Sequence, residues 1–205
     1  MYYSVRPNLI MQFFLRKALW RMRTDEKKIW LTFDDGPIPG VTPGVLDVLD
    51  EYDAKATFFC VGENVVKHEK IFHSLMERGH GVANHSYRHL NGWRTSNQVY
   101  FDDIEQCNVL LRSKLFRPPY GKLKPSQYMA LSEKYSIVMW DVLAGDFDGK
   151  LSKEKCLDNV LRFTRPGSIV LFHDSLKARE RMQYALPKFL EHFKKEGFSF
   201  ERMKG

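Results

Sequence analysis

Asp34 and Asp35 end an apolar, β-branched run, KIWLTFDDGP (residues 28–37), and Gly36 and Pro37 follow at once. A strand-ending turn explains one of these acids, since Asp and Gly are favoured there. The pair together can do hydrolytic chemistry. One carboxylate can hold a metal ion while its neighbour takes a proton from the water that the metal activates. Successive strand residues point to opposite faces, so the Gly36-Pro37 turn has to bring both into one pocket.

His85 and His89, in NHSYRHLN, stand at the i,i+4 spacing that places two imidazoles on one face of a helical turn. Alone the spacing is weak evidence, because two surface histidines satisfy it equally. A mononuclear hydrolytic site needs a third ligand and an open position, and the aspartate pair can supply that ligand. Arg117, in FRPPYG, can orient a carboxylate base through a bidentate pair. The two prolines fix an extended backbone and remove two donors, leaving the amide of Tyr120 to face a developing oxyanion. Hydrolysis of an amide also requires an acid for the leaving nitrogen. His173, in IVLFHDS, can serve, with Asp146, in LAGDFD, favouring its imidazolium form. Asp174 suits a turn or cap better than catalysis.

These residues must be brought together by the elements between them. Strand-like runs are KIWLTFDD, ATFFCVG, GVANHS, LFRPPYG, SIVMWDV, SIVLFHD and FSFERM. Helical patterns separate them over residues 42–53, 64–80, 96–114, 124–135, 153–165 and 179–196. Such alternation predicts a parallel α/β domain. No Gly-rich phosphate loop follows the first strand, which argues against a dinucleotide fold. A barrel-like arrangement places its chemistry at the C-terminal ends of strands, which is where Asp34, His85, Arg117, Asp146 and His173 fall.

The chain has 205 residues, enough for one sizeable core. Cys60, Cys107 and Cys156 are widely spaced, odd in number and form no CxxC pair, which argues against a disulfide framework or cysteine zinc site. The net charge of +7 comes from scattered basic residues with no nucleic-acid motif, so no nucleic-acid partner is expected. Residues 1–27 read as an N-terminal extension and 28–205 as the catalytic domain. Within the extension, Leu9 to Trp20 suits a short amphipathic helix with a basic end, able to touch a membrane surface. Asn8 and Gln12 interrupt its apolar stretch and no small-residue cleavage site follows. With the unpaired cysteines, this gives a cytoplasmic or inner-membrane-associated location as the expectation.

Five segments in order, TFDDGP, NHSYRH, RPPYG, WDVLAGDF and VLFHD, resemble the motifs of the polysaccharide deacetylase family, also known as the NodB-homology domain or carbohydrate esterase family 4. The resemblance runs from about Ile29 to the C-terminus. It implies a single-domain, distorted (β/α)7-type barrel that binds one divalent metal, zinc foremost, and removes acetyl groups from N-acetylated glycans. Carried onto this chain, it implies Asp34 as catalytic base and Asp35, His85 and His89 as metal ligands. Arg117 would orient the base, Tyr120 would contribute its backbone to the oxyanion site, and His173 would be the acid with Asp146 its partner. Leu171 would line the acetyl pocket. Phe147 departs from the family pattern, which has tryptophan after the aspartate; Trp140 is no obvious replacement. Rival readings are an O-acetyl esterase or deformylase using the same site on a lipid-linked sugar, and an inactive glycan-binding domain.

Overall fold

The computed structural model describes residues 4–204. Residues 1–3 and 205, the outer ends of the two units drawn above, lie outside the described residues. The sheet is built around β1 (Lys28–Asp34), whose Ile29, Leu31 and Phe33 are fully buried. Thr32 is buried as well. This strand is covered on both faces, which is why its sequence is a continuous apolar run rather than an alternation.

β1 pairs in parallel with β2 (Thr57–Cys60) on one side and β7 (Ile169–His173) on the other, and its first residues also pair with β8 (Ser199–Glu201). Outward from β2 lie β3 (Gly81–Asn84), β4 (Leu115–Phe116) and β5 (Ser136–Ile137), and beyond β7 lies β6 (Val142–Leu143). Every ladder is parallel. The helices α2 (Thr42–Glu51), α3 (Gly62–Lys67), α4 (Glu69–Glu77), α5 (Asn97–Leu111), α6 (Pro125–Ser132), α7 (Lys153–Phe163) and α8 (Arg179–Lys195) fall between strands, α3 and α4 as a pair between β2 and β3. The predicted α/β barrel is therefore present as a curled parallel sheet.

The fifth predicted strand, SIVMWDV, is two strands. β5 and β6 lie at opposite edges of the curl, and residues 138–141 cross the opening between them. The N-terminal segment fills that opening. The Leu19 amide donates to Ile137 O, the Met139 amide donates to Leu19 O, and the Met22 amide donates to Gly167 O, each at 2.8 Å. Ala18 and Trp20 are buried beside Tyr128 and Tyr135. The predicted helix from Leu9 to Trp20 thus ends early, as α1 (Leu9–Phe14), because extended pairing outweighs helix propensity from Ala18 onward. Among the described residues no helix is long and apolar enough to cross a membrane.

Candidate active site

The register of the sheet brings the acid and base positions side by side. Asp34, the last residue of β1, is the lateral partner of His173, the last residue of β7. Asp35 would point away from Asp34 if the strand continued. Instead its backbone turns left-handed, with φ of 86°, and the Asn64 side chain donates to its carbonyl at 2.8 Å. The reversal thus occurs at Asp35 itself, ahead of the Gly36-Pro37 turn, whose peptide is cis. Asp174 holds that turn from below. The Gly36 amide donates to its Oδ1 at 3.0 Å and the Thr42 hydroxyl to its Oδ2 at 2.6 Å. A Cβ on residue 36 would lie 1.9 Å from Asp174 Oδ2, so the position admits only glycine. Burial pushes the Asp174 carboxyl up to about 7, against those two hydrogen bonds.

His85 and His89 meet Asp35 without a helix. The segment after β3 is a loop, with Ser86 and His89 left-handed at φ of 63° and 56°, which replaces the helical turn expected from the spacing. Asp103, buried in α5, holds this loop. It accepts from the amides of Tyr87 and Arg88 at 3.0 Å and from Arg88 Nε at 2.6 Å. Sequence reasoning missed Asp103; an acid on the inner face of a helix was the only signal. Asp103→Ala is expected to weaken divalent-metal affinity about tenfold or more, as losses behind metal ligands do. Competition with a chromophoric chelator measures it.

Potential ligand atoms of Asp35, His85 and His89 all lie within 4.8 Å of one another. His89 Nε2 stands 3.3 Å and His85 Nε2 3.9 Å from Asp35 Oδ1. The other ring nitrogens are spoken for. His85 Nδ1 lies 2.8 Å from Arg117 O, which can only accept, so Nδ1 carries the proton and Nε2 presents its lone pair. His89 Nδ1 lies 3.2 Å from the Tyr120 hydroxyl. Burial lowers the His85 pKa to about 4, so the ring is neutral at pH 7, as a ligand must be. Burial opposes ionisation of Asp35, but the His89 hydrogen bond and the His173 charge overcome it and hold the carboxyl well below the usual range. An anionic oxygen and two imidazoles, each with its second ring nitrogen held, fit a divalent metal with positions left open.

Asp34 is gripped from behind. Arg117 is fully buried and donates to Asp34 Oδ1 at 2.7 Å through Nη1, which also reaches Thr32 Oγ1 at 3.0 Å. Its remaining donors reach Val138 O and Met139 O, and its guanidinium lies 4.0 Å from the Phe59 ring centroid. The contact with Asp34 is through one oxygen rather than the bidentate pair expected, because the fork is shared with the crossing segment. Asp34 Oδ2 stays on the pocket side, 3.7 Å from His85 Nε2.

Asp146, fully buried, receives the His173 amide at 2.7 Å on Oδ2 and sits 2.8 Å from the ring Nδ1 with Oδ1. Burial disfavours the imidazolium, but the Asp146 charge and hydrogen bond prevail and raise the His173 pKa to about 9. Tyr120 is left-handed at φ of 61°, and Leu171, Phe147 and Trp140 form apolar wall of the same cavity of about 560 Å³. The Phe147 ring meets His173 edge-on at 5.0 Å. Trp140, discounted on sequence, is part of the wall because the crossing segment carries it there.

A sequence profile described as polysaccharide deacetylase matches residues 21–138. A peptidoglycan-N-acetylglucosamine deacetylase of Bacillus cereus is 33% identical over 188 residues, covering 88% of each chain. A chitooligosaccharide deacetylase of Bradyrhizobium is 34% identical over 157 residues, covering 72% of this chain and 71% of its own. Among solved structures, a peptidoglycan N-acetylglucosamine deacetylase in complex with 4-naphthalen-1-yl-N-oxidanyl-benzamide superimposes with a TM-score of 0.86 at 31% identity, covering 91% of each chain.

Proposed function

Since the chain belongs to the polysaccharide deacetylase family, we propose that it hydrolyses the N-acetyl group of an amino sugar in a glycan or glycan precursor. The observation that carries this reading is the convergence of Asp35, His85 and His89 beside an arginine-held carboxylate and an aspartate-held histidine. Relatives named for peptidoglycan and chitooligosaccharide deacetylation support the substrate class.

Asp35, His85 and His89 would hold the metal, and zinc matches this nitrogen and carboxylate donor set. A divalent ion there supplies Lewis acidity to water and to the acyl oxygen. Asp34 accepts a proton from the attacking water, with Arg117 fixing its orientation. The Tyr120 amide donates to the acyl oxygen as negative charge develops. His173 gives its proton to the departing nitrogen, so acetate and a free amine are the products. Leu171 and Phe147 wall the acetyl methyl. The Asp146–His173 pair favours an amide over an ester, because an amine leaves only when protonated.

We place the enzyme at the cytoplasmic face of an anionic membrane. The exposed Leu9, Ile10, Phe13 and Phe14 beside Arg16 and Lys17 support that location. Co-sedimentation with phosphatidylglycerol vesicles, lost when Phe13 and Phe14 become Ser, tests it. The activity itself is tested by incubating metal-loaded protein with N-acetylated oligosaccharides. Acetate and new amine should appear in equal amounts, stop on chelation and resume on metal return. Acetate released from O-acetylated sugars alone would reassign the site to ester cleavage.

A further inference from the structure

A second cavity, of about 840 Å³, adjoins the catalytic one, and its size is that of a ligand site. Met11, Phe14 and Leu15 form one side, Leu123 and Met129 the other, and Trp93 one end. The two cavities meet at Gly121, which lines both. Gly121 has φ of 64°, and a Cβ there would lie 2.7 Å from the Trp140 ring. Residue 121 therefore adds no side chain of its own at the junction, where the Trp140 ring lies against its backbone. Lys122, the next residue, lines the catalytic cavity and holds its Nζ 5.0 Å from the Trp93 ring centroid, so a cation sits between the two spaces. Arg16 adds a basic edge to the groove, while Lys17 and Glu133, also in its lining, pair with each other at 2.9 Å.

An apolar trough with cations at its mouth complements an amphiphile with an anionic head. A polysaccharide strand suits it poorly, since sugar hydroxyls placed against apolar walls lose hydrogen bonds they make in water. The apolar side chains of α1 extend the trough outward, because that helix buries none of its residues. Building on the deacetylase reading, we propose that the substrate is a lipid-linked N-acetylated amino sugar. The sugar occupies the catalytic cavity, its phosphate-type linkage meets Lys122, and its hydrocarbon chain lies in the groove between α1 and α6.

The test compares the decyl and methyl phosphate esters of N-acetylglucosamine on the metal-loaded full chain. The decyl ester should show a KM lower by about tenfold or more, as burial of several methylenes requires. Met129→Glu and Phe14→Glu, both at exposed side chains, should each remove most of that preference without shifting the thermal midpoint. Lys122→Gln should reduce the preference for the phosphate esters over an uncharged decyl glycoside. Equal KM values for the two esters would overturn the proposal. A separate titration with decyl phosphate alone, followed by tryptophan fluorescence, needs no turnover. Saturable binding abolished by Met129→Glu would uphold the groove even if no acetate were released, in which case only the deacetylase reading falls. Absence of such binding would overturn the inference. So would light scattering that shows Met129→Glu splitting a dimer, because a second copy would then cover this face.

Discussion

Arg117→Met should destabilise the protein by about 3–5 kcal/mol, the cost of removing one partner of a buried ion pair. The side chain is fully buried and serves five groups at once: Asp34, Thr32, two backbone carbonyls of the crossing segment, and the face of Phe59. Methionine fills the volume but leaves the Asp34 carboxylate without its cation and two carbonyls without donors. Those carbonyls, Val138 O and Met139 O, lie where the sheet opening is spanned, so the loss reaches the fold as well as the site. Arg117→Lys should recover only part, because an ammonium has no planar fork to span Asp34 and the crossing segment together. Urea midpoints measure both variants. Midpoints equal to wild type would show that Arg117 does not hold these elements together.

His173→Gln should lower kcat on an N-acetyl sugar by about 10²–10⁴, the span of a lost general acid, with a smaller loss on an O-acetyl ester. The pH profile gives an independent readout. The His173 pKa lies above its ordinary value of 6.5, at about 9, because Asp146 outweighs burial, with smaller contributions from Asp35 and Asp34. The acid is therefore protonated through neutral pH, and the rate falls as pH rises through the folded-state pKa. Loading the metal site offsets the Asp35 contribution, which places the alkaline limb of the holoenzyme below 9. Asp146→Asn removes the dominant opposing charge and should move that limb lower still. The same shift carries a stability contribution that is complete below pH 6.5 and lost as pH rises through about 9. An alkaline limb unmoved in Asp146→Asn would mean that another group donates the proton.

Much of the site was legible because each of its residues ends or follows a strand, and apolar runs mark strand ends plainly. The division at Asp35 was not. A left-handed aspartate depends on Asn64, which approaches from α3, a contact that no local pattern encodes. The HxxxH spacing suggested a helix, whereas the loop between His85 and His89 is shaped by Asp103 from α5, distant in sequence. SIVMWDV looked like one strand because both of its halves are apolar. Only the closing of the sheet, with Leu19 inserted beside Ile137, shows that the halves belong to opposite edges. The helical run over 64–80 likewise breaks at His68, which leaves helical geometry at φ of −133° and ψ of 44°.

In the proposed mechanism two adjacent aspartates, Asp34 and Asp35, have different jobs. Metal content and acetate release measured together on Asp34→Asn and Asp35→Asn test this most directly. Asp34→Asn should bind metal at wild-type stoichiometry and release no acetate, while Asp35→Asn should lose the metal. An Asp34→Asn protein that turned over normally, or that lost its metal while Asp35→Asn kept it, would contradict the division.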